Sequence, residues 1–171
     1  MSTKKLGPRM YTLHCTKKLL DRVKVLPAAS SSPPTTGLGN WYATALFWKP
    51  QVALLVNERT LLPVLMLLAP ASTLAARFPA ELAAILRGHG AREAFITNEV
   101  AAMGDVSVAK TSNRSVVGTM NEFAFLAEAY REGMGLLALS MRLADTPCGA
   151  IKYDYPCRLL TEIIGPLTQR N

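Results

Sequence analysis

The chain has 171 residues, half of them apolar and fewer than a fifth charged, which excludes a disordered polyelectrolyte and suits one packed domain. The formal charge is +7, and seven cations (Lys4, Lys5, Arg9, Lys17, Lys18, Arg22, Lys24) against Asp21 leave +6 of it within the first 24 residues. A basic end draws polyanions by long-range attraction, so a nucleic acid or an acidic protein is the favoured partner class, unless the run is only a solvated face.

Cys15, Cys148 and Cys157 form no CxxC pair and have only His14 and His89 to join them, so neither a disulfide framework nor a metal site is indicated. No cofactor is expected, and a reducing cytoplasm is the expected setting. The longest uncharged run, residues 60–76, contains Pro63 and Pro70. It falls short of the ~20 apolar residues of a membrane-crossing helix. The start, MSTKKLGPRM, lacks an apolar stretch after its cations, so a secretory signal is not expected.

Residues 1–9 read as a basic flexible lead and residues 10–171 as a single domain. Tyr11, Leu13 and Cys15 alternate with Thr12, His14 and Thr16, the period of a half-buried strand. Thr16 is placed to cap a short helix, KKLLDRVKVL, apolar through Leu19, Leu20 and Val23 and basic on its other side. Residues 27–40, PAASSSPPTTGLGN, have no periodicity and suit a flap or a slack loop. Residues 41–67 then read as a meander of three apolar strands, and Pro63, which has no N–H to donate, assigns the last to an edge or a bulge.

Residues 72–103 carry two helical patterns. The first is expected to open at Phe78-Pro79 with a first-turn proline and to close at Gly88 and Gly90; the second stops at Gly104. DVSVAKT at 105–111 alternates as a last short strand. Met120, Phe123, Ala127 and Tyr130 return to helical spacing, a further helix is expected over 136–143, and a turn-rich TPCGAIKYDYPCRLL precedes a closing helix. The sum is an α+β domain, an antiparallel or mixed sheet of about four or five strands with helices packed on it.

The densest polar segment is KTSNRSVVGTMNEFAF at 110–125, between a strand and a helix. A helix start leaves amides unpaired and favours negative charge, so this junction suits an anion. Lys110 and Arg114 add positive charge, Ser115 and Thr119 hydroxyls, Asn113 and Asn121 amides, and Gly118 lets the backbone come close. The spacing is not that of a nucleotide-binding P-loop. Thr119 and Glu122 also fit a capping box, Gly118 a turn with positive φ, and Asn113 a turn former. His14 and Cys15, adjacent in a strand, point to opposite faces and make no nucleophile pair. Trp41 and Tyr42 suit base stacking or core packing, Asn57 a turn, and Cys148 a reactive thiol or a buried small hydrophobe.

Four blocks together resemble a family of small, mostly bacterial proteins classed only as a domain of unknown function: CTKKLLDRV at 15–23, GNWYA with LVNERTLLPVL within 39–65, AKTSNRSVVGTMNEFAF at 109–125 and DTPCGAIKY at 145–153. The resemblance covers residues 11–155. It implies relatives but no reaction, ligand or catalytic group. Lys17, Trp41, Asn57, Lys110, Asn113, Arg114, Ser115, Gly118, Asn121 and Glu122 match the family's pattern.

Two functions of different class follow from the residues. In the first, a non-catalytic module holds phosphates of a nucleic acid, or an acidic partner, through the basic first helix and the 110–121 segment. In the second, a toxin-like nuclease or phosphotransfer enzyme uses Arg114 and Lys110 to stabilise charge and Glu122 as base, although no second carboxylate clusters for a two-metal site. A structural or regulatory protein-interaction role is the third reading.

Overall fold

The computed structural model describes residues 8–29 and 32–165. The basic lead therefore lies almost wholly outside the described residues. Five strands form one mixed sheet: β1 (Met10–Cys15), β2 (Trp41–Leu46), β3 (Val52–Asn57), β4 (Pro63–Leu67) and β5 (Asp105–Lys110), in the spatial order β4-β3-β2-β1-β5. The central strand β1 runs parallel to both β2 and β5, and β2, β3 and β4 form an antiparallel meander. Six helices complete the α+β fold: α1 (Lys17–Val23), α2 (Leu74–Gly88), α3 (Glu93–Ala102), α4 (Arg114–Tyr130), α5 (Leu136–Ala144) and α6 (Pro156–Ile164).

Both faces of the sheet are covered, so every residue of β2 and β3 is buried. On one face Tyr11, Leu13, Cys15, Trp41 and Ala43 pack with Leu19 of α1, Phe78, Leu82 and Leu86 of α2, Ile96 of α3 and Leu160 of α6. On the other, Tyr42, Leu46, Leu54 and Val56 meet Val116, Met120 and Phe123 of α4 and Leu139 and Leu143 of α5. Each such large side chain, once buried, stabilises the fold by ~1.5–3 kcal/mol.

Pro63 opens the edge strand β4, as its missing N–H requires. The edge is closed by side chains from two helices. Ser140 Oγ of α5 accepts from the Leu65 N–H at 2.9 Å, and the Arg77 guanidinium of α2 donates to the carbonyls of Leu67, Leu68 and Pro70. At the opposite edge the Ala28 N–H bonds the Val108 carbonyl of β5 at 2.7 Å, and further on the Thr35 N–H bonds the Met10 carbonyl of β1 at 2.9 Å. Residues 27–40, apart from 30 and 31, are thus tied to the sheet at both ends of their course.

Three local expectations are corrected. The first long helix opens at Leu74, so Pro79 stands inside α2 instead of in its first turn; Leu74 is buried with Phe78 and Leu82, and that apolar face draws the start one turn earlier. Thr16 occupies the N-cap of α1, but its hydroxyl bonds Thr44 Oγ1 at 2.8 Å and caps nothing. The third correction, the start of α4, belongs to the site.

Candidate functional site

α4 begins at Arg114, six residues before the Thr119–Glu122 capping box would start it. The cap is Asn113, whose Oδ1 accepts from the N–H groups of Ser115 at 3.0 Å and Val116 at 3.3 Å. Val116 is 2% exposed and joins Met120 and Phe123 in the core, so burial of this first turn selects the earlier cap. Gly118 is therefore a helical residue rather than a turn, and the Thr119 hydroxyl, buried, donates to the Ser115 carbonyl at 3.1 Å. The polar connection shrinks to Thr111, Ser112 and Asn113.

This short connection stands at a reversal of the chain. After β1 the chain passes to α1 on one face of the sheet; after the neighbouring parallel strand β5 it passes to α4 on the other. Adjacent parallel strands whose connections depart to opposite faces leave a crevice at their carboxyl ends, the position where open α/β sheets bind ligands. A hollow of about 470 Å³ is found there, lined by His14, Pro27, Ala28, Ala29, Ala109, Lys110, Thr111 and Ser112. The methyl side chain of Ala109, opposite His14 in the register, leaves the space unfilled.

Its wall is held by an ordered polar set. The His14 ring stacks on Tyr42, centroids 4.5 Å apart and planes at 22°. His14 Nδ1 lies 3.0 Å from the Lys110 carbonyl, which can only accept, so Nδ1 carries the proton and a neutral ring leaves Nε2 as an acceptor. The Tyr42 hydroxyl accepts from the Asn113 N–H at 2.9 Å and bonds Ser112 Oγ at 3.2 Å. Strand β2 thereby fixes the turn that launches α4, and the exposed side chains of Lys110, Ser112, Arg114 and Ser115 gather around that turn.

The remaining singled-out residues lie elsewhere. Asn121 and Glu122, both exposed, line a second hollow of about 450 Å³ with Phe125, Leu126, Thr146 and Pro147. Glu122 is eight residues along α4 from Arg114, ~12 Å of helix rise. The residues singled out in 110–125 are thus divided between two hollows. Cys148, 1% exposed, has its thiol pushed up to about 11 by burial and then by the Glu122 charge, so it is a buried thiol and not a reactive one. Cys15, on the face opposite His14, is pushed up to about 12 by burial.

Lys17 is exposed at the start of α1, while Trp41 is 1% exposed with its ring edge-on to Phe78 at 5.0 Å. Asn57, fully buried, is a hydrogen-bond hub: Nδ2 donates to the carbonyls of Leu38 at 2.9 Å and Asn40 at 3.3 Å, and Oδ1 accepts from Arg59 N, Thr60 N and Thr60 Oγ1. Glu99 supports the same loop, its carboxylate accepting from Gly37 N at 2.8 Å and Leu38 N at 3.1 Å. This cluster is at the amino end of β2, where Asn57 pairs with Trp41; it lies two strands from β1, level with Leu13, and none of its members lines the crevice.

Sequence reading missed His14, Tyr42 and Ser112 as one group. The available signal was a histidine next to the end of a strand that leads straight into a basic helix. Among the described residues no group of three or more His, Cys, Asp and Glu is placed to hold a metal ion, and no helix is long and apolar enough to cross a membrane.

No curated protein and no solved structure matches the chain significantly. Residues 12–159 match the model of a protein family, Domain of unknown function (DUF6933), and the chain belongs to that family.

Proposed function

We propose that this member of the DUF6933 family is a binding module for phosphate-bearing ligands, and that the crevice at the carboxyl ends of β1 and β5 is its binding site. The observation that carries the reading is the reversal itself: a 470 Å³ hollow opens where α1 and α4 leave adjacent parallel strands to opposite faces. Three further features support it. Lys110 and Arg114 flank the turn with no acid among the residues lining the hollow. The first turn of α4 carries no acidic residue, so its dipole is not already neutralised. The Ser112 and Ser115 hydroxyls supply donors beside the turn, which the Tyr42 hydroxyl holds through Ser112 Oγ and the Asn113 N–H.

The geometry lends less to the nuclease reading, which asks Glu122 to act beside Arg114, because that carboxylate lines the other hollow. Lys17 extends the positive field from the start of α1, whereas Lys18 and Arg22 lie over the exposed Phe47 ring at 6.0 and 5.3 Å.

The test is equilibrium binding of pyrophosphate to the whole protein at several salt concentrations. Affinity is expected to fall steeply with salt and to drop about tenfold in Arg114→Ala, the loss of one charge-assisted hydrogen bond, with an unchanged melting temperature. Binding that is absent, or indifferent to both salt and Arg114, removes the proposal.

A further inference from the structure

We infer that the solvent face of α4 takes a short single-stranded nucleic acid, its phosphates at the Lys110–Arg114 end and one base stacked on Phe125; this rests on the phosphate-binding reading above. Arg114, Gly118, Asn121 and Phe125 recur at intervals of four, three and four residues, so they fall on one exposed stripe, opposite Val116, Met120 and Phe123 in the core. The stripe rises ~16 Å along the helix, enough for more than one nucleotide. It joins the two hollows, the crevice at its start and the 450 Å³ hollow at Phe125.

Chemistry changes along the stripe as it does along a nucleotide. The phosphate end is cationic. At the far end the Phe125 ring is 76% exposed, an apolar surface that packing does not use and every base can stack on. Asn121 and Glu122 line the same hollow as that ring. The amide both donates and accepts and the carboxylate only accepts, a set that suits base edges bearing an exocyclic amine. The Glu122 charge also repels phosphates from this end, which keeps them toward Lys110 and Arg114. Between the ends, nothing but α4's own backbone and the two adjoining residues stands within 4 Å of where a Cβ on Gly118 would be, so a nucleic-acid backbone can approach the helix closely there.

The experiment is fluorescence anisotropy of end-labelled tetranucleotides, RNA and DNA, against an abasic tetramer with the same number of phosphates. Cytosine, adenine and uracil series are compared on wild type, Phe125→Ala and Glu122→Gln, with pyrophosphate as the reference ligand. Base-bearing tetramers are expected to bind about tenfold tighter than the abasic one, and Phe125→Ala to erase that margin while pyrophosphate still binds. Glu122→Gln is expected to reduce the preference for cytosine over uracil. Equal binding of base-bearing and abasic tetramers to wild type, or a margin that survives Phe125→Ala, overturns base stacking and leaves the phosphate site standing. Absence of pyrophosphate binding overturns both. The RNA and DNA arms identify which polymer is held.

Discussion

Asn57→Ala is the sharpest test of which singled-out residues are scaffold. The side chain is fully buried and makes five hydrogen bonds, to Leu38 O, Asn40 O, Arg59 N, Thr60 N and Thr60 Oγ1, between 2.9 and 3.3 Å. Alanine removes every one and leaves buried backbone groups without partners. Net values of roughly 1 kcal/mol per bond, partly recovered by loop relaxation and entering water, give a destabilisation of about 3–5 kcal/mol. For a chain of this size that is a melting-temperature loss of roughly 10 °C. The Asn57 side chain bonds Leu38, Asn40, Arg59 and Thr60, none of which lines the crevice, so pyrophosphate affinity measured well below the transition is expected to stay at the wild-type value. Urea denaturation gives the stability and calorimetric titration the affinity. A loss below about 1 kcal/mol would refute the hydrogen-bond reasoning. Retained stability with weakened pyrophosphate binding would make Asn57 a site residue and refute its assignment to the scaffold.

Two other consequences follow from buried polar groups. Ser140→Ala removes the hydroxyl that accepts from the Leu65 N–H on the edge strand β4, and a loss of about 1–3 kcal/mol is expected in urea denaturation. Burial raises the Glu99 carboxyl above its ordinary value near 4.5, against the opposing effect of the Leu38 and Gly37 amides and the Arg59 charge. The folded state then holds this proton more tightly than the unfolded chain, so the Glu99 contribution is greatest below about 4.5 and is lost as the pH rises through the folded value. Subtracting the stability–pH profile of Glu99→Gln from that of wild type is expected to isolate this falling component; a component that rises with pH contradicts it.

Much of the scaffold was legible because its cause is local. The alternation of Tyr11, Leu13 and Cys15 marks β1, the nearly continuous apolar runs mark β2 and β3, and Pro63 marks an edge. The start of α4 was not, because two caps compete in one stretch. Asn113 and Thr119 both satisfy local capping chemistry, and burial of Val116 in the core decides between them. Phe125 was overlooked for a related reason. Phe123 and Phe125, two residues apart, lie about 200° apart around a helix, so one must face solvent, and that is readable from spacing alone. The His14–Tyr42 stack was beyond local reading, since only the parallel register of β1 on β2 places His14 opposite Tyr42, 28 residues later.

The central claim is that phosphate sits at the turn between β5 and α4. Backbone amide NMR of the 15N-labelled protein, titrated with pyrophosphate at low salt, tests it most directly. Saturable shifts are expected at the amides of Thr111, Ser112, Arg114 and Ser115, with smaller ones at His14 and Lys110. Shifts centred instead on Gly37 and Leu38, beside the amino end of β1, or spread weakly over the α1 cations, would contradict it.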